Sequence, residues 1–386
     1  MAIAFPFIEV NIDTSALLPA MQRAPGVVAI VGAASGATAP TDTPIVVTTT
    51  DDIDTQFRNG TTETGLSRAL KAAMMQDPGP EKIYGVRTGS GGTAWESALA
   101  SLEGADDVTF VALADASVKS GSGSPNAPIA ALKTHCEMQS AGGNKRIGVA
   151  HINPGIAKSA TYATDVIALA TPLKSTSGRM VMIAARGAVD SGGTEAQVAA
   201  AAAGAIAGQP VASSMVLKKI RGIAMPLAGQ YGPGEISALS TDGIIPVIDP
   251  ALISGESLHF AEGTTYTTDA TLKYVDLVRL IDDVEFRLKA GLVGMIGDAR
   301  ISRSGLADII RQSEGILGVV QMEGGITGFS VIVPVYEALS LAEAARSAAQ
   351  VQMINTARSQ RLVDMVISIV IGPAVHRLRI ALQPRF

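Results

Sequence analysis

The residues of this chain best suited to proton transfer, nucleophilic attack or metal ligation are His135, His151, His259, His376 and Cys136. Such chemistry requires these groups to converge, and no H-E-x-x-H spacing occurs. His135 and Cys136 are adjacent, but successive helical residues point about 100° apart, which makes a direct dyad awkward. The pair is expected to be structural. The carboxylate pairs Asp51-Asp52, Asp106-Asp107 and Asp282-Asp283 are sequence neighbours. General acid–base work needs two carboxylates facing one another across a cleft, and adjacency does not supply that. The first two pairs are expected at turns, and Asp282-Asp283 on a solvated helix face.

The glycine-rich stretches fare no better. Gly32-Ala33-Ala34-Ser35-Gly36 follows a strand-like run but lacks G-x-G-x-x-G, and Pro40 and Pro44 stand where a helix would begin. Gly143-Asn144-Lys145 has neither the spacing nor the Ser/Thr of a phosphate loop. No Gly/Ser cluster spells G-x-S-x-G. The reading is therefore of a non-enzyme with no catalytic residue, no cofactor and no metal.

The elements that would position any site read as follows. Residues 27–31 and 45–48 form short strand runs, 64–76 a helix with Leu66, Leu70 and Met74 on one stripe, and 83–86 a strand. A helix at 95–102, a strand at 108–113, a Gly/Ser/Pro loop at 118–128, a helix at 130–140 and strands at 147–152 and 180–184 continue the alternation. That pattern predicts an α/β layer to about residue 250. Gly204-x-x-x-Gly208 sits in a small-residue helix that would pack closely under a sheet. Two amphipathic helices follow. One carries Leu277, Ile281, Val284, Leu288 and Leu292, with Arg279, Asp282, Asp283 and Arg287 facing elsewhere; the next carries Leu306, Ile309, Ile310, Leu317 and Val320. A strand at 330–335, an Ala-rich helix over 338–361 and a strongly β-forming run at 363–371 complete this part.

Both termini read as isolated strands with one apolar face: Ile8, Val10 and Ile12 at one end, Leu378, Ile380 and Leu382 at the other. A lone strand cannot satisfy its own backbone, so each must join a sheet, either at an edge of its own domain or in a neighbouring molecule.

Composition agrees with a folded, non-catalytic protein. Of 386 residues 47% are hydrophobic and 17% charged, which excludes a disordered chain, while aromatics at 4% are too few for a ring-lined ligand cage. A net charge of −5 gives no reason to expect nucleic acid or an anionic membrane as partner. A single cysteine excludes intrachain disulfides and suits a reducing compartment. The first ten residues contain Pro6 and Glu9 without a basic stretch, so no secretory leader is expected. The apolar runs 198–207 and 366–371 fall short of the roughly 20 residues of a membrane helix, and no membrane insertion is expected.

The order of these segments resembles the contractile tail sheath proteins of bacteriophages and related contractile injection systems. The resemblance rests on Val27-Val28-Ala29-Ile30-Val31-Gly32 after an N-terminal arm, then Pro44, Asp54, Phe57 and Gly60, and Tyr84-Gly85-Val86-Arg87. It continues through the run from Leu102 to Asp115 and His135-Cys136-Glu137. It is best at Lys273-Tyr274-Val275-Asp276-Leu277-Val278-Arg279-Leu280, and covers nearly the whole chain. Aromatic residues common in the family around Val293 to Ile296 are absent, and the helix 338–361 is longer than the family's.

This resemblance implies a multi-domain fold, α/β and α+β, with strand arms at both ends. Its parts would be an N-terminal arm at 1–22, an outer α/β domain at 23–262, an inner α+β domain at 263–374 and a C-terminal arm strand at 375–386. It implies subunits stacked as hexameric rings around an inner tail tube protein, with baseplate and terminator proteins at the ends. The particle would be a virion tail or an injection device, assembled in the host cytoplasm. The arms, through Ile8, Val10, Ile12, Leu378, Ile380 and Leu382, would add strands to neighbours, and contraction would need no nucleotide. Inner-tube contacts are expected at Glu343, Arg346, Arg358 and Arg361, or else on the helix bearing Asp308, Arg311 and Glu314. A small-molecule α/β enzyme or a non-contractile strand-exchange polymer are the competing readings.

Overall fold

The computed structural model describes residues 26–89, 94–120, 126–253, 255 and 257–377. They fall into two compact units. The first takes in 26–283 and 372–377, the second Val284–Ile371.

The α/β unit runs β1 (Val27–Gly32), β2 (Pro44–Val47), α1 (Thr50–Phe57), α2 (Gly65–Met74), β3 (Lys82–Arg87), α3 (Ala94–Ala100), β4 (Phe110–Leu113), α4 (Ala127–Ala141), β5 (Ile147–His151), α5 (Tyr162–Ala170) and β6 (Met180–Ala184). It continues with α6 (Val198–Gly208), β7 (Lys219–Ile220), α7 (Pro233–Asp242), β8 (Ile244–Ile248), β9 (Leu258–Phe260) and the first half of α8 (Val275–Leu292). The strands form one nine-stranded sheet in the order β2-β3-β1-β4-β5-β6-β8-β9-β7. Its centre, from β3 to β8, is parallel, and the flanking strands are antiparallel.

The sequence explains why. Strands such as VVAIVG and MVMIA are aliphatic throughout and wholly buried, as a parallel sheet covered on both faces demands. One core cluster joins the sheet to α1, α2, α6 and the start of α8; the other joins it to α3, α4, α5 and α7. Local chemistry starts the helices. Thr49 caps α1, and Asp52 accepts from Thr48 and Thr49, which hold its carboxyl down at about 2. In α6, Gly204 lies where any Cβ would sit 2.5 Å from the carbonyl oxygen of Ala73 in α2, so glycine permits the close crossing.

The second unit holds the rest of α8, α9 (Arg303–Met322), β10 (Ile326–Ile332), α10 (Pro334–Ser340), α11 (Ala348–Gln360) and β11 (Val366–Ile371). β10 and β11 pair antiparallel as a two-stranded sheet, and a small core of Leu306, Val333, Val335, Ala338, Ile354 and Ala357 lies beside it.

Three expectations change. The helix expected over 338–361 is two helices. Arg346 donates to the carbonyls of Ala338, Leu339 and Leu341 at the end of α10, and Ser347 with Gln350 starts α11 afresh. The strand expected at 330–335 lies earlier and stops at Ile332, because Pro334 opens α10. Arg279, Asp282, Asp283 and Arg287 do not face solvent; all four are buried. The compact units divide between Asp283 and Val284, within α8.

Candidate assembly interface

The residues with the richest chemistry are spent inside the fold. Helix α4 carries His135 and Cys136 on its buried side. The His135 Nε2 lies 2.8 Å from a guanidinium nitrogen of Arg146, a wholly buried arginine whose other nitrogen donates to the carbonyls of Leu102 and Ala105 at 2.6 and 2.9 Å. Burial, then the Arg146 charge, pushes His135 down to about 4. Burial pushes the Cys136 thiol up to about 12, far from a reactive thiolate. His151, at the end of β5, is brought to about 4 by burial alone. His259 meets the carbonyl of Ser257 at 3.0 Å. His376 meets the Ser214 hydroxyl at 2.8 Å and packs edge-on against Tyr274. No group of three or more potential metal ligands exists among the described residues.

The buried charges of α8 are structural. Asp282 pairs with both guanidinium nitrogens of Arg179, at 2.5 and 2.9 Å. Arg279 donates to the carbonyls of Gln209 and Pro210 just beyond α6, with Phe110 beneath it, and burial lowers it to about 10. In the second unit Arg287 pairs with Glu323 at 2.8 Å. A comparable lock closes the α/β unit: the Arg186 guanidinium lies 4.4 and 4.7 Å from the Tyr162 and Tyr231 rings and pairs with Glu235 at 2.6 Å. Sequence reasoning missed these locks, since their partners are remote in the chain.

What stands out as unspent is β11. Five of its six residues are aliphatic and none is buried; Val366 is 54% and Val370 60% exposed. In β10 only Ile326 is buried. No described strand lies along the outer edge of either. A two-stranded sheet is marginal alone, and bare edges with exposed aliphatic side chains are where further strands pair.

The expected arm residues Ile8, Val10, Ile12, Leu378, Ile380 and Leu382 lie outside the described residues. The chain leading into the C-terminal arm is held on the α/β unit, where Arg377 pairs with Glu262 at 2.9 Å. Of the expected tube contacts, Glu343 is fully solvated and Arg346 is turned to the backbone of α10. Arg358 and Arg361 are exposed at the end of α11. On α9, Asp308 and Arg311 pair with each other at 2.6 Å and Glu314 is exposed.

No protein-family model and no curated protein matches the chain. Solved structures do. The sheath complex of the extracellular contractile injection system PVC, in its contracted state, is 13% identical, with a TM-score of 0.70 over 99% of this chain and 98% of that one. The contracted helical sheath of the anti-feeding prophage is 12% identical, with a TM-score of 0.66 over 99% of both chains. A sheath tail protein from Desulfitobacterium hafniense is 13% identical, with a TM-score of 0.59 over 85% of this chain and 93% of that one. The described residues have the fold of these sheath proteins.

Proposed function

We propose that this chain is the structural subunit of a contractile sheath, which polymerises as stacked rings around an inner tube and contracts to drive that tube through a cell envelope. The observation that carries the proposal is the bare β10–β11 sheet, with an aliphatic strand left unburied and two edges without a described partner. Strand addition from neighbouring copies would complete it, and the one-face-apolar termini, with Ile8, Val10 and Ile12 in one and Leu378, Ile380 and Leu382 in the other, have the pattern to supply those strands. The likeness of fold to sheath structures, over 99% of the chain, supports the same reading.

On this reading the product is movement. Rigid units joined by strand arms shift between two packed arrangements, and the energy is stored at assembly with no catalytic residue, nucleotide or metal involved. A difference of roughly 5 kcal/mol per coupled unit already moves a two-state equilibrium from about 1:99 to 99:1. The partners would be copies of the chain, an inner tube protein and the proteins at the sheath ends, within a tail or injection particle.

Sedimentation and negative-stain microscopy of the full-length protein, beside a variant lacking residues 1–21, test the proposal. Ribbed tubes from the full chain and folded, non-assembling particles from the variant are expected. A monodisperse small oligomer from both would contradict it.

A further inference from the structure

The α/β unit carries a groove and a projection of matching chemistry. The groove, about 870 Å³, runs between α3 and α4 and closes on Pro172 and Leu173. Helix α4 gives it Ala127, Ala130, Ala131, Thr134 and Met138, one face at helical spacing, and the small alanines keep it open. Met138 at its end is 64% exposed. Glu96 and Glu103 stand on its other side, both exposed and without an ion pair to any described residue, and no lysine or arginine lines it. The lining also includes the buried His135. Arg146 can only donate, so the Nε2 of His135 accepts from it and the ring proton sits on Nδ1, a donor with no partner among the described residues. An apolar groove with free carboxylates and a spare donor suits an apolar occupant that carries cations.

The projection is the turn before β7. Leu217 stands there 51% exposed with φ of 56°, a left-handed conformation that leucine rarely adopts. The turn is held firmly. The Leu217 N–H donates to the Phe260 carbonyl at 2.9 Å, the Phe260 N–H to the Lys218 carbonyl at 3.0 Å, and the Lys218 N–H to the carbonyl of the buried Met215 at 3.1 Å. Lys218 and Lys219 follow, neither of them ion-paired with a described residue. A rigid apolar tip is thus backed by two free cations, and strain kept in an exposed, well-fixed turn points to a contact that uses it. Helix α4 overlies β4 and β5, whereas the turn adjoins β7, four strands beyond β5 and about 19 Å away along the sheet, so tip and groove can meet only between copies. The stem of the C-terminal arm is fastened beside the turn, His376 at Ser214 and Arg377 at Glu262. We infer that Leu217 of one copy seats in the α3–α4 groove of the next, with Lys218 and Lys219 facing Glu96 and Glu103. This rests on the sheath reading, in which an arm given to a neighbour leaves from this same edge. Two different patches on each copy make the contact heterologous, so it repeats from copy to copy as a ring or a helix.

The test uses the full-length protein with Leu217→Cys and Ala131→Cys, together or singly; the native Cys136 is buried and stays out of the reaction. Oxidised in air, the double variant should form a ladder of covalent multimers, and each single variant at most a pair. Adding Glu96→Lys with Glu103→Lys should reduce the ladder at least about tenfold, and adding Lys218→Glu with Lys219→Glu to that protein should restore it. Salt at about 0.5 M should weaken the ladder as well. A double variant that cross-links no more than the single ones, a charge reversal without effect, or a charge swap that fails to restore the ladder would each overturn the inference. Capture of the groove thiol by Val375→Cys but not by Leu217→Cys would overturn it too, and would give the groove to the C-terminal arm. Negative stain of the wild type judges the sheath reading separately: tubes without a ladder sink only this contact, and a ladder without tubes sinks only that reading.

Discussion

At the scale of single residues, burial has turned the reactive side chains into structural ones, and this has a pH consequence. His135 and His151 are held down at about 4 in the folded state, against 6.5 when free. Between these values the unfolded chain binds more protons, so the stability they confer is complete above pH 6.5 and is lost as pH falls toward 4. Each should cost about 2–3 kcal/mol between about pH 7 and pH 4.5. Urea denaturation of wild type and His151→Gln at the two pH values should show a shallower dependence for the variant; equal slopes would mean that His151 is not buried neutral. The Arg179–Asp282 pair makes a second prediction. Removing one partner leaves a largely buried charge, so Asp282→Asn should cost about 3–5 kcal/mol, whereas Arg179→Met with Asp282→Leu should recover most of it. Chemical denaturation of the three proteins checks the order.

At the scale of elements, two segments make opposed predictions. Alanine in place of Gly204 would favour an isolated helix by about 1 kcal/mol, yet its Cβ would meet the backbone of Ala73 at 2.5 Å. The clash should win, and Gly204→Ala should lower stability by about 1–3 kcal/mol in a thermal melt. In β11 the exposed Val366 and Val370 should bear charge without loss of fold. Val366→Glu with Val370→Glu should leave the melting temperature within a few degrees of wild type while abolishing tubes, scored by circular dichroism and negative stain.

Periodicity made most of these elements legible. Alternating helix stripes and aliphatic runs located β1, β3, β5, β6, α2, α4, α6, α8 and α9 within a few residues. The solvated face assigned to α8 was wrong for a physical reason. Arg279 and Asp282 look polar in sequence, but Arg179 and the carbonyls of Gln209 and Pro210 satisfy them inside the fold. The break between α10 and α11 was hidden by an Ala-rich run that propensity alone would continue.

At the scale of the whole molecule, one unit carries a large satisfied sheet and the other a small unsatisfied one. The first is stabilised by two apolar layers on nine strands. The second leaves β10 and β11 without described neighbours, and such edges are open to strand addition. Coupling through such shared strands would let one subunit's transition bias the next, so contraction should travel along the assembly without added nucleotide. The most direct test is electron cryomicroscopy of the assembled protein before and after contraction. The account predicts stacked rings in which both outer edges of the β10–β11 sheet carry strands from neighbouring copies in both states. A map with those edges bare, or covered only by the same chain's own residues, would contradict it.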